Sequence, residues 1–301
     1  MTTAVRGAVP VGEGIVSRRQ RTLWQDALGR LVAHNGARAG FLLVAGLLVL
    51  AVLADVIQLS DPNGFFYLDV LKPPLRDGHL LGTDDLGRDV FTRIAHGART
   101  SMRVGVVAVG IALVAGSLIG FIAGYAGGVV EGIAMRAMDV LLSFPTILLA
   151  VAIVAMRGPG IFNTMIAVGI VAIPAYARIS RASTLALKEQ DFVLAARAVG
   201  VPPARILARH IVPNALSPLI VLATLGVATA ILNAAALGFL GLGAQPPDVE
   251  WGAMLVDSIR YLFQGSWWAL LFPGFAIMLT VIGFNLIGDG LRDSLDVRIR
   301  G

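Results

Sequence analysis

Residues 191–213 read DFVLAARAVGVPPARILARHIVP, a polar interval in a chain otherwise dominated by long apolar runs. Phe192, Val193, Ala195, Ala196 and Val199 recur at helical spacing, which leaves Asp191 and Arg197 on other faces. Gly200 ends that helix, because glycine accepts the left-handed conformation of a helix C-terminus. Pro203 suits the first turn of a second helix, where its missing N–H breaks no bond. Arg205, Arg209 and His210 follow, and the stretch closes on Pro213. The pattern predicts two short helices around a turn, set between two hydrophobic segments.

Composition fixes the medium around this stretch. Of the 301 residues 56% are hydrophobic and 14% charged, against about 25% charged in a soluble domain, and the mean hydropathy is +0.80. Several apolar runs reach the length of about 20 residues that a bilayer crossing needs. The formal net charge of +5 comes from arginines clustered at the ends of those runs, which fits lipid headgroups better than nucleic acid. With no cysteine, disulfides, thiolate metal sites and cysteine nucleophiles are excluded.

Several chemistries can be set aside by motif. No Gly-x-x-x-x-Gly-Lys-[Ser/Thr] phosphate loop occurs, and Lys72 and Lys188 are the only lysines, so the chain does not bind ATP by that loop. No His-Glu-x-x-His motif occurs, and His34, His79, His96 and His210 are scattered; no metal site is expected. The spans hold almost no ionisable group, with Asp55 toward one end and Asp139 near the start of another, whereas a gradient-driven carrier is expected to bury such groups.

Taken in order, residues 1–38 form a basic tail and Ala39–Leu59 an apolar run. A leader of this length is too long for a signal peptide, although Val52-Leu53-Ala54 resembles a cleavage site, so an uncleaved first span is expected. Residues 60–103 are an extramembrane loop, with Asp-Pro-Asn-Gly and Pro73-Pro74 as turn signals. Asp89 is a plausible N-cap for a short helix lying in the interface, with Val90, Phe91, Ile94 and Ala98 on one face. The second span, about Val104–Tyr125, carries Gly116, Gly120, Gly124 and Gly128 at every fourth position, a stripe that lets another helix approach closely. Gly127-Gly128 makes a turn into a third span ending near Met156 and bent at Pro145; a fourth covers about Ile161–Ala177 and is interrupted by Pro174. After Pro213 a fifth span runs to about Leu237 with Asn233 inside, expected to bond a neighbouring helix. Gly238–Gly243 breaks it. Trp267-Trp268 mark the interface where the last span begins, and that span ends near Ile287.

The 191–213 stretch resembles the cytoplasmic loop of ABC importer permeases, a pattern of Glu-Ala-Ala, three residues, Gly, nine residues and Ile-x-Leu-Pro. Ala195, Ala196, Gly200 and Pro213 stand at those positions, while Leu194, His210 and Val212 replace the Glu, Ile and Leu. His79–Asp89 (HLLGTDDLGRD), Gly238–Gly252 and Gly288–Asp296 resemble the corresponding segments of the C-type membrane subunit of the dipeptide, oligopeptide and nickel permeases; Val297 stands where that family commonly has proline. The resemblance covers roughly residues 79–300. It implies an all-α integral membrane protein with about six transmembrane helices and the type I ABC importer permease fold. The expected divisions are a cytoplasmic tail 1–38, a first span 39–59, an extracytoplasmic loop 60–103, a permease core 104–288 with the cytoplasmic coupling loop 181–212, and a cytoplasmic tail 289–301.

The same resemblance implies a non-catalytic subunit in the bacterial inner membrane, both termini cytoplasmic, that binds no cofactor itself. ATP and Mg would reside on two ATPase subunits or domains. The other partners would be a homologous permease and an extracytoplasmic substrate-binding protein. Asp191, Ala195, Ala196, Arg197, Gly200, Pro203, Arg205 and Pro213 would form the ATPase-coupling loop, and di- or oligopeptides would be the cargo. Nickel, a self-sufficient channel or carrier, and a non-transporting scaffold remain alternatives, and no residue is singled out for substrate. Charge alone does not orient the chain, because Lys72, Arg76, Arg88, Arg93, Arg99 and Arg103 lie in the interval expected outside.

Overall fold

A computed structural model of the chain describes residues 23–58 and 60–295; of the predicted tails 1–38 and 289–301, the parts at 1–22 and 296–301 lie outside the described residues. Its helices are α1 (Leu23–Ala33), α2 (Asn35–Val52), α3 (Ala54–Ile57), α4 (Val90–Ala126), α5 (Gly128–Leu142), α6 (Thr146–Arg157), α7 (Ile161–Lys188), α8 (Asp191–Ala198), α9 (Pro203–Ile206), α10 (Leu216–Phe239), α11 (Trp251–Ile259) and α12 (Trp268–Leu295). Among the described residues β-structure is limited to two isolated bridges, Arg76 with His79 and Thr83 with Asp89. Five segments are long and apolar enough to cross a membrane: α2, α4, α7, Pro203–Phe239 and α12. The pair α5 and α6, bent by 90°, makes a sixth if it counts as one broken span. The break falls at Ser143-Phe144-Pro145, where proline restricts the residue before it away from the helical region.

The centre of the bundle is α4 laid along α7. A Cβ on Gly116 would meet the Ile173 carbonyl at 2.6 Å, one on Gly120 would overlap the Ala177 carbonyl, and one on Gly124 would meet Thr184 Cβ at 2.8 Å. Three of the four stripe glycines thus lie where the two backbones come closest. Gly128 does not: it opens α5 with φ +54° and has open space around it, because α4 has already ended at Ala126. Around this pair, Val104, Ala112, Val154, Val168, Leu219 and Ile231 contribute to one core spanning α4, α6, α7 and α10. A second core joins Ala51, Val90, Trp251, Met254, Trp268 and Ile277. It ties α2, the start of α4, α11 and α12 together at the opposite end of the bundle from α8.

Several helices run further than the apolar pattern suggests. The expected interfacial helix and the second span are one helix, Val90–Ala126. Asp89 caps it, accepting from Thr92 N–H at 2.8 Å, and its charged first turns are neutralised from afar. Arg93 donates to the Pro62 carbonyl at 2.8 Å and pairs with Asp84, while Arg99 donates to the Ala51 carbonyl at 2.9 Å and pairs with Asp55. The fourth span does not stop at Ala177 but continues through Pro174 to Lys188. The last span passes Ile287 to Leu295, so the predicted tail from 289 begins as helix, and α1 occupies part of the predicted N-terminal tail. His34 pairs with Asp293 at 3.4 Å, which places the start of α2 beside the end of α12.

At the other end the loop ahead of α4 is folded rather than extended. Leu71 N–H donates to the Asp84 carbonyl, Thr83 N–H to the Lys72 carbonyl and Trp268 Nε1–H to the Thr83 carbonyl, each at 3.0 Å. Asp84 accepts from Leu86 N–H, Arg88 N–H and Arg88 Nε–H. The segment after α10, expected as loop, contains α11. Glu250 caps that helix by accepting from Gly252 N–H at 2.8 Å, Ala253 N–H at 3.0 Å and the Ser101 hydroxyl at 3.2 Å. Trp251, wholly buried, donates to the Ile94 carbonyl at 3.0 Å.

Candidate functional site

The loop between α7 and α10 is built as one rigid turn and one long continuation. After Lys188 the chain reverses at Glu189-Gln190, and α8 begins with Val193 N–H and Leu194 N–H both donating to the Gln190 carbonyl. At its end Gly200 takes φ +79°. Gly200 N–H donates to Arg197 O at 2.9 Å and Val201 N–H to Ala196 O at 3.0 Å. This pair of bonds is the glycine-terminated cap that satisfies the last carbonyls of a helix. Pro203 then stands in the first turn of α9. The second helix is not short, however. It widens at Leu207–Ile211, where Val212 N–H reaches back to Leu207 O, and proceeds through Pro213–Ala215 into α10. Proline has no N–H to continue the ordinary ladder, which accounts for irregularity just around Pro213.

The apolar residues of α8 divide between two surroundings. Val193 and Ala196 are buried against Ile206 and Ile211, with Tyr125, Leu187, Val201 and Leu207 around them. Phe192, Leu194 and Val199 face outward, exposed by 42%, 44% and 79%. Thus only part of the face Phe192, Val193, Ala195, Ala196 and Val199 turns inward; Ala195 is exposed with the rest. Phe192 has His210 beside it, the ring centroids 6.5 Å apart. Asp191, Arg197, Gly200, Pro203, Arg205 and Pro213 are all exposed around this outward apolar surface. Arg197 is engaged from one side, its guanidinium 5.7 Å from the centroid of the Tyr125 ring.

Lys188, inside the expected coupling loop, and Tyr125, at the end of the expected second span and given no role in the sequence reading, complete the loop's attachment. Lys188 Nζ donates to the Tyr125 carbonyl at 3.2 Å and stands 5.9 Å from the same ring. The signal available in the sequence was the position of Tyr125, one residue after the last packed glycine of the stripe. Nearby, Arg178 pairs with Asp139 at 2.6 Å and Arg181 with Glu131, linking α7 to α5. Asn233 on α10 is half-buried and makes no side-chain hydrogen bond among the described residues, contrary to the expected bond to a neighbouring helix. No group of three His, Cys, Asp or Glu residues able to hold a metal occurs among the described residues.

The loop thus presents a short helix with exposed apolar residues, held by its Gly200 cap next to the ends of α4 and α7, and comparison with known proteins gives the chain a family. Residues 116–301 match the model of the binding-protein-dependent transport system inner membrane component. The chain belongs to that family. Residues 22–74 match the N-terminal TM domain of oligopeptide transport permease C. Among relatives, the dipeptide transport system permease protein DppC of Alkalihalophilus pseudofirmus is 47% identical over 92% of this chain and 90% of its own. The di/tripeptide transport system permease protein DppC of Pseudomonas aeruginosa is 45% identical over 93% and 92%. The glutathione transport system permease protein GsiD of Pectobacterium atrosepticum is 41% identical over 99% and 97%. A chain of the MetNI methionine ABC transporter, solved in inward-facing conformations, superposes with TM-score 0.54 at 18% identity over 67% of this chain and 96% of that one. The chain is therefore a multi-pass membrane protein with the ABC importer permease fold.

Proposed function

We propose that this chain is one of two homologous membrane subunits of an ABC importer for di- and oligopeptides, and that α8 is the element on which a separate ATPase subunit docks. The observation that carries the reading is the outward surface of Phe192, Leu194 and Val199 beside Ala195, fixed by the Gly200 cap and flanked by exposed Asp191, Arg197 and Arg205. Small Ala195 permits close approach, and the charges give the contact direction. ATP and Mg belong to the ATPase subunits, and closing of the ATPase pair moves the attached spans as rigid bodies. Gly116, Gly120 and Gly124 serve the close packing of α4 on α7 that such movement needs. α8 and both chain ends then face the cytoplasm of a bacterial inner membrane. The loop 60–89 and α11 face the substrate-binding protein. The relatives named for dipeptides, di/tripeptides and glutathione favour a short peptide over nickel.

Reconstitution tests this directly. The chain, its homologous permease and the ATPase subunits in proteoliposomes, supplied with binding protein and labelled dipeptide, are expected to take up label only with ATP. Phe192→Asp together with Val199→Asp abolishes ATP-dependent uptake. Uptake by this chain alone without ATP would contradict the reading in favour of a channel or carrier.

A further inference from the structure

We propose that Tyr125 is a positioning residue that ties α8 to α4, so that movement imposed on α8 reaches α4 and α7 together. The proposal rests on the reading of α8 as the ATPase-docking helix. By chain connection α8 is joined to α7 through Glu189-Gln190. To α9 and the Leu207–Ile211 segment that leads into α10 it is joined by the Val201 bond to Ala196 and by the contacts of Val193 and Ala196 with Ile206 and Ile211. Nothing in the chain order joins it to α4, and Tyr125 supplies that link. Its ring packs at the edge of the same apolar cluster, has Arg197 of α8 at 5.7 Å and has Lys188, the last residue of α7, at 5.9 Å.

Both cations lie within the distance of about 6 Å at which an aromatic face attracts a positive group. One ring thereby holds the end of α7 and the last turn of α8, while its own carbonyl accepts from Lys188 at 3.2 Å. Directly behind it, Gly124 lies against Thr184, so α4 and α7 are already in close backbone contact where the ring is anchored. A displaced α8 therefore pulls on a pair of packed helices rather than on α7 alone. Without the ring, Arg197 keeps no partner among the described residues, and α8 is left tied to α7, α9 and the Leu207–Ile211 segment.

The test compares Tyr125→Phe, Tyr125→Leu and wild type in the complete reconstituted importer, with three readouts: ATPase subunits retained on purification, ATP hydrolysed, and labelled dipeptide moved per ATP. Tyr125→Leu keeps apolar bulk against the cluster but has no aromatic face. It is expected to retain the ATPase subunits and hydrolysis while peptide moved per ATP falls about fivefold, the scale of two exposed cation–aromatic contacts. Tyr125→Phe keeps the face and stays near wild type. An unchanged ratio in Tyr125→Leu, an equal loss in both variants, or loss of the ATPase subunits from Tyr125→Leu alone would overturn the proposal. Failure of wild type itself to hold ATPase subunits would overturn the docking reading on which it stands.

Discussion

Asp85 lies in the folded loop ahead of α4 with Arg88 Nη2 3.6 Å away, yet its buried Oδ1 makes no hydrogen bond. Burial pushes its carboxyl above the ordinary 3.8, and the neighbouring Asp84 adds to the rise. The sign follows from linkage: a carboxyl with a raised folded pKa binds protons more readily when folded, so its charge costs stability as pH climbs through that raised value. Asp85→Asn is therefore expected to raise the thermal midpoint in detergent at about pH 7, an advantage that vanishes at about pH 3, where both forms are neutral. Circular dichroism melts at the two pH values check this; a lowered midpoint at neutral pH would show that Arg88 outweighs burial. Glu250 is a different case. Its carboxyl is also raised by burial, but three donors surround it, so Glu250→Ala strips the cap of α11 and is expected to cost about 2 kcal/mol. Neither role could be read from the sequence, because the partners of Glu250 include Ser101, which is far away along the chain.

Among the elements, α4 shows most plainly what local pattern can and cannot give. The glycine stripe at Gly116, Gly120 and Gly124 was legible because small residues at every fourth position mark one helical face. The start of the helix was legible too, with Asp89 as the cap; what the pattern did not give was that the short interfacial helix and the second span are one helix. Arg93 and Arg99 look too polar for the start of a span until Asp84, Pro62, Asp55 and Ala51 are seen to satisfy them. In the same way Glu131 and Asp139, near the start of the expected third span, gain partners only when Arg181 and Arg178 of α7 are placed beside them. Gly120→Ala drives a methyl into the Ala177 carbonyl and meets Ser180 Cβ at 2.7 Å, with an expected loss of about 1–3 kcal/mol. Gly110→Ala on the same helix meets nothing within 4 Å and is expected to be neutral or stabilising by up to about 1 kcal/mol. Thermal unfolding of both in detergent separates close packing from helix propensity. Equal effects would remove the packing explanation.

For the molecule as a whole, hydropathy and turn residues revealed a multi-span helical bundle, and small residues around Gly200 marked the loop that organises it. What they could not reveal was how α8 is presented: Val193 and Ala196 inward, Phe192, Leu194 and Val199 outward. That partition depends on Ile206 and Ile211 folding back beneath the helix, and on a second helix that runs unbroken in direction into α10. The same geometry makes the outward surface the central claim. Purification of the tagged chain in mild detergent from its native membrane, followed by mass identification, compares wild type with Phe192→Asp/Val199→Asp. Wild type is expected to bring down a homologous permease and ATPase subunits, and the variant to keep the permease while losing the ATPases. ATPase subunits retained equally by both chains would contradict docking at α8.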